Sequence, residues 1–342
     1  MKVSEKAKSI RTPLATVLLF LLMFIVILLD LSWAPRNLSL GEVWSVIIGK
    51  GTWGNETIVL HFNLPRVIMG LIVGAGLAVS GAVMQALFRN PMASPYILGL
   101  SSGASLGAAI GMLFVISFIP AAIISPILAF VFCFITMMLV YSLSRVGGKT
   151  QTETLLLAGI AVGAFISALV SFLTVIAGEK MADIVFWSMG SLDRASFDNI
   201  VIVLPMILVG VMLMLMFSKE LNAMMLGDSH AMDLGVNVKN VRLILLLCST
   251  LVTAAAVCYV GVIGFVGLVI PHIIRLLVGP DNRKVIPLSI LGGAVYLVAC
   301  DYIAHLFVNT VGVMPIGVIT ALIGGPYFIY LLRRRKHQVG WN

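Results

Sequence analysis

Long apolar runs separated by short polar breaks set the rhythm of the chain. A helix that crosses a bilayer needs roughly 20 apolar residues. Ten such spans are predicted: Leu14–Trp33, Leu64–Leu87, Tyr96–Ile116, Ala121–Leu143, Thr152–Ile176, Ile200–Phe217, Val241–Tyr259, Gly261–Val278, Pro287–Phe307 and Pro315–Leu332. The joints at Ile116–Ala121 and Tyr259–Gly261 leave almost no loop, which requires tight turns or helices that stop short. Three polar segments are longer: Asn37–Asn63, Gly178–Asn199 and Ser218–Asn240. In the first, Ser39 is placed to cap a short helix carrying Val43, Trp44, Val46 and Ile47. The second contains "MADIVFWSMGSLD", apolar but too short to cross. Small residues recur at helical spacing, as Gly70/Gly74, Gly103/Gly107/Gly111 and Gly159/Gly163, and predict close helix crossings. One stretch breaks the rule for lipid-facing chain. "FRNPMASPYILGL" places an arginine, an Asn-Pro break and a second proline between two spans.

Composition makes the membrane reading unavoidable. The 342 residues are 60% hydrophobic and 11% charged, where soluble domains carry about 25% charge. Residues 1–342 read as one polytopic all-α membrane domain, with 218–240 as a loop outside the bilayer. An even number of spans puts both termini on one side. With both termini in the cytoplasm, only Arg36, Lys50, Arg66, Lys180 and Arg194 of the 22 Lys and Arg lie outside. That asymmetry satisfies the positive-inside rule. The net charge of +8 is therefore a topology signal, and the scattered basic residues give no nucleic-acid surface. The basic start and apolar run imitate a signal peptide, but the run is too long and reads as an uncleaved first helix in a cell membrane. Cys133, Cys248, Cys258 and Cys300 lie in apolar spans without metal spacing and read as core residues.

Candidate chemistry is sparse. "RVGGKTQ" (Arg145–Gln151) imitates the end of a phosphate-binding loop, but Leu143 stands where that motif needs a glycine, so no ATPase is predicted. Asp301 and His305 share one helix face and read either as a hydrogen-bonded staple or as a proton relay. Nothing assembles a nucleophile, a base and an oxyanion site, so the chain is not expected to be an enzyme. No cofactor or metal site is expected either. The loop "SKELNAMMLGDSHAMDLGVNVKNVR" predicts two short helices, near Leu221–Leu226 and Ser229–Leu234, separated by Gly227 and closed by Gly235. Its methionines and leucines call for a partner surface.

Several motifs in order resemble one family. "NLPRVIMGLIVGAGLAVSGAVMQALFRNPMASPYILGLSSGASLGA" (Asn63–Ala108) is similar to permeases of the iron-siderophore, haem and vitamin B12 class of ABC importers. So are "LLLAGIAV", "GVIGFVGLVIPHIIRLLVGPDNRKVIPLS" and "PIGVITALIGGPYFIYLL", and the likeness runs from about Leu40 to Arg335. The resemblance implies ten helices per subunit, a homodimer with its pathway on the dimer axis, a separate cytoplasmic ATPase dimer and an extracytoplasmic binding protein. It implies a cytoplasmic gate at Asn90, Pro91 and Met92, with a second element at Thr152 and Glu153, where the glutamate departs from the usual small polar pair. It implies ATPase coupling through Leu226, Gly227, Asp228, Ala231, Met232, Leu234, Gly235 and Val236. Binding-protein docking would fall to Arg66, Asn63 and His305. The family often has arginine where Asn63 stands and an Arg-Glu pair where "NTVGVMP" stands, so Lys50, Lys180 or Arg194 are the alternative contacts. The expected cargo is a chelated metal; an oxyanion importer of the same fold, or an ion-coupled transporter using Asp301 and His305, are the other readings.

Overall fold

The computed structural model describes residues 2–33, 38–114, 120–146, 149–150, 152–308, 312 and 314–339. Arg36, the Ile116 end of one tight joint and most of "NTVGVMP" lie outside them. Among the described residues the architecture is helical, with one exception: Arg145–Val146 and Lys149–Thr150 form a two-residue antiparallel ladder at the false phosphate-loop motif.

The chain opens with α1 (Lys2–Trp33). Helix α2 (Leu40–Ile47) begins as the sequence predicts. Ser39 accepts the Glu42 N–H and Glu42 accepts the Ser39 N–H, a reciprocal capping box. Val43 and Val46 face inward, while Trp44 and Ile47 are exposed. The segment expected to be a loop up to Asn63 is partly helical. Helix α3 (Trp53–Glu56) runs through a π-helical turn, Thr57–Asn63, into α4 (Leu64–Leu87). Pro65 explains the wide turn. Its ring has no N–H and crowds the carbonyl four residues back, and a π turn relieves both problems. The Leu64 N–H accordingly donates to the Val59 carbonyl.

Helix α4 is the most enclosed long element. The Asn-Pro break follows it, then a 3-10 turn (Pro95–Leu98) and α5 (Leu100–Leu113). Next come α6 (Ala121–Leu143), α7 (Thr152–Ile176), the short α8 (Met181–Met189) and α9 (Phe197–Met216). Two small helices follow, α10 (Ser218–Met225) and α11 (Asp228–Asp233). The last four are α12 (Val238–Val260), α13 (Val266–Val278), α14 (Asn282–Leu306) and α15 (Ile316–Val339).

Among the described residues, seven helical stretches are long and apolar enough to cross a membrane: Thr12–Ser32, Trp53–Leu87, Ala122–Leu143, Glu153–Ile176, Phe197–Met216, Val238–Val260 and Asn282–Leu306. Three shorter apolar helices, Leu100–Leu113, Val266–Val278 and Ile316–Leu331, lie between or after them. The span expected from Gly261 starts five residues late. Gly261 takes a left-handed backbone at φ 74° and Phe265 another at φ 66°, so residues 261–265 turn before α13 begins. That turn is satisfied internally: the Val260 carbonyl accepts from Ser191 N–H and the Ile263 carbonyl from the Tyr96 hydroxyl. Irregular backbone inside an apolar protein survives only with such partners.

Small residues, among them the Gly70/Gly74 and Gly103/Gly107/Gly111 ridges, mark close helix crossings. A Cβ on Gly74 would overlap the Gly293 carbonyl, one on Gly81 the Gly267 carbonyl, and one on Gly107 the Leu128 carbonyl. These contacts pack α4 against α14, α4 against α13 and α5 against α6. The four cysteines are buried, as expected of core residues.

Candidate functional site

Three groups of polar residues interrupt the apolar bundle. The first is the elbow after α4. Arg89 N–H donates to the Ala86 carbonyl and Asn90 N–H to the Gln85 carbonyl. This double closure ends the helix, and Arg89 takes the left-handed conformation at φ 50°. The Asn90 side chain then accepts the Met92 N–H at 3.0 Å, and Ala93 N–H donates to the Asn90 carbonyl. Pro91 needs no partner for a missing N–H. The Asn-Pro pair thus builds a closed turn. The 3-10 turn beyond it lies against α7, where a Cβ on Gly159 would overlap the Ile97 carbonyl. Thr152 and Glu153 open that same helix; Glu153 is exposed, and the Thr152 side chain lies outside the described residues. The 3-10 turn that follows the elbow thus packs against the helix that Thr152 and Glu153 begin.

The second group is the α10–α11 loop. Gly227 and Gly235 both have positive φ, 125° and 82°, where a side chain would be strained. The two helices divide their apolar residues by face. Leu221, Met224 and Ala231 are buried against the bundle, whereas Leu226, Met232 and Leu234 are 69%, 59% and 67% exposed. Gly235 is exposed too and Val236 half-buried. Asp228 opens α11 and, still partly exposed, pairs with Arg242 at 2.6 Å and with Arg89 at 3.7 Å. Helix α10 is anchored through Asn222, which bonds Asn282 and the Asp281 carboxylate. Hydrogen bonds from Arg283 outweigh the cost of burial and, with Asn222 adding to them, pull the Asp281 pKa down to about 2. Arg275 completes this anchor, donating to Asn282 and to the Ala82 carbonyl of α4.

The third group lies at the opposite end of α4, and it corrects an expectation. Asn63 and Arg66 are not on the surface. Asn63 is fully enclosed, and its amide donates to the Leu31 carbonyl at 3.0 Å. Arg66 Nε lies 2.8 Å from the Asp301 carboxylate, and Nη2 lies 3.3 Å from Asp30. His305 is buried in the same cluster. Its Nδ1 lies 2.8 Å from the Asp301 carbonyl, which can only accept, so Nδ1 carries the proton. Nε2 then accepts from Arg66 Nη1 at 3.0 Å in the neutral ring; Asp193 Oδ1 is 3.2 Å from the same nitrogen. These three side chains are internal ties, because apolar surroundings leave a charge no better partner than another charge. Asp30, Asp301 and His305 also have the spacing of metal ligands. The Arg66 guanidinium already supplies their cation. Of the alternative docking residues, Lys180 is engaged by the Met112 carbonyl at 2.7 Å, whereas Lys50 and Arg194 are exposed.

Sequence reasoning missed Asp30, Asp193 and the pairing of Asp228 with Arg242 and Arg89. Asp30 left a signal: it is the one ionisable residue in the Leu14–Trp33 run. The pairing of Asp228 with Arg89 left none.

Comparison with known proteins fits this layout. The model of the FecCD transport family matches residues 21–334. The chain is 40% identical over 303 residues to the cobalamin import system permease protein BtuC of Halobacterium salinarum, covering 89% of this chain and 78% of that one. It is also 40% identical over 324 residues to the hemin transport system permease protein HmuU of Yersinia pestis, covering 93% and 96%. A solved structure of a metal-chelate type ABC transporter in an inward-facing conformation superimposes with a TM-score of 0.83 at 32% identity, over 94% of this chain and 99% of that one. With a family match across nearly all of its length and relatives that align with it over most of theirs, this chain belongs to the FecCD transport family, the multi-pass membrane permeases of ABC importers.

Proposed function

We propose that the chain is the permease of an ATP-driven importer for a chelated metal: an iron-siderophore, haem or a cobalamin-like corrinoid. The cobalamin and hemin relatives support the cargo class. Two copies, each with ten spans and both termini in the cytoplasm, form the pathway. The seven long and three short apolar helices agree in number with that count. An extracytoplasmic binding protein delivers the chelate, docking on exposed charges such as Lys50 and Arg194, while Asn63, Arg66 and His305 act indirectly by holding the helices that present them. The Asn90–Met92 elbow and the start of α7 close the cytoplasmic mouth. A separate ABC ATPase dimer supplies the work.

The observation that carries this reading is the face of the α10–α11 loop. Leu226, Met232 and Leu234 are exposed together on helices that the glycine turns and the Asn222 anchor hold in place. Desolvated apolar anchors of this kind carry interfaces. Leu234→Asp places a charge in the contact, and Gly235→Val strains a backbone at φ 82° without meeting any neighbour. Both variants should insert in the membrane normally. Co-purification with the ATPase should fall at least tenfold, about what a buried unpaired charge costs. Normal assembly of both would reduce the loop to a connector.

The ion-coupled reading loses its relay. Asp301 is committed to Arg66, and the His305 Nδ1 proton to a backbone carbonyl.

A further inference from the structure

We infer that the Asp228–Arg89 pair is the joint through which movement of the α10–α11 loop reaches the Asn90–Met92 elbow. This rests on the gate and coupling roles proposed above. Arg89 stands at a position that prefers glycine. A left-handed residue with a side chain costs about 1 kcal/mol, and among the described residues only Phe265 shares that condition without being glycine. The turn itself gains nothing from arginine, since its two closing hydrogen bonds are made by backbone. What the side chain reaches is Asp228, the first residue of α11.

The Asp228 carboxylate has two guanidinium partners of unequal grip. Arg242, in the first turns of α12, is largely buried and holds Oδ2 at 2.6 Å. Arg89 is half-exposed and faces Oδ1 at 3.7 Å. The first contact fixes the loop to the bundle. The second is loose, as suits a contact made and broken in each cycle; exposed pairs of this kind are individually weak. Because Asn90, Met92 and Ala93 are hydrogen-bonded into one turn directly after Arg89, a pull on the guanidinium moves the turn as a unit. Arg89 and Asp228 are thus positioning residues, with no contact to cargo required.

Arg89→Gly separates the joint from the turn. It removes the guanidinium and supplies the residue that the backbone prefers. Since the native cysteines are buried, a Ser94→Cys thiol beside the elbow reports its exposure. In the assembled complex with its ATPase, the maleimide labelling rate of Ser94→Cys is compared without nucleotide and after trapping with Mg-ATP and vanadate. With Arg89 present, the two rates should differ. In Arg89→Gly the difference should shrink about threefold to fivefold, the scale of one such ion pair, while thermal stability and ATPase assembly hold or improve. Arg89→Lys should retain most of it. An undiminished difference in Arg89→Gly overturns the joint, and so does a loss of stability or assembly, which would make Arg89 a structural residue. No difference even with Arg89 present would remove the gate role of the elbow and take the joint with it.

Discussion

Arg66 joins carboxylates from two helices that are distant in sequence, Asp30 on α1 and Asp301 on α14. Removing one partner of a buried pair strands the other in apolar surroundings, typically at a cost of about 3–5 kcal/mol. Arg66→Met strands two acids at once. The variant should lose thermal stability in detergent by roughly that amount. Adding Asp30→Asn and Asp301→Asn to it should recover most of the loss, because neutral amides need no counter-ion. Failure of the triple variant to recover would mean that Arg66 serves by shape and not by charge. The sequence exposed this group only in part. It marked Asp301 and His305 as a pair on one helix face, and the His305 Nδ1 bond to the Asp301 carbonyl fits the staple reading. It set Arg66 on the surface, since position next to a proline at a span boundary says nothing of which helices enclose it. The enclosing partners come from Leu31, Asp30 and Asp301, and such long-range neighbours have no signature in local pattern.

Helix boundaries were legible where polar or proline punctuation coincides with the end of an apolar run. Leu64–Leu87, Ala121–Leu143 and Thr152–Ile176 have the same limits in sequence and structure. They were illegible where the chain turns inside the protein. Residues 261–265 stay apolar although they are not helical, because hydropathy reports burial and not conformation. Tyr96–Leu98 was likewise absorbed into a span, although it forms a separate 3-10 turn. The small-residue ridges translated directly into helix crossings. Gly74 and Gly293 touch backbone to backbone, so neither neighbour has a flexible end that could yield. Gly74→Ala should therefore destabilise the protein by about 1–3 kcal/mol, the range for overpacking. Gly54→Ala, which meets nothing, serves as the control. Unfolding midpoints in detergent check both. Equal midpoints would mean that α4 and α14 can separate freely.

Across the whole molecule, polar ties sit near both ends of α4 and close packing fills the middle. Arg66, Asp301 and His305 lie at one end, Arg89, Asp228 and Arg275 at the other. In the topology proposed from the basic asymmetry, the Arg66 end faces the outside. Reporter fusions near Gly51 and Arg194 should then read as external and a fusion at Lys336 as cytoplasmic. A cytoplasmic signal near Arg194 would invert the whole arrangement. The Arg66 cluster also constrains how the chain is made. Its first span leaves the ribosome with an acid near one end, and the matching cation follows 36 residues later. An ionised side chain in hydrocarbon is unstable alone, so α1 finds its settled seat only when α4 arrives beside it. Asp301 joins them from a helix made much later, and its arrival ties α1 and α4 to α14.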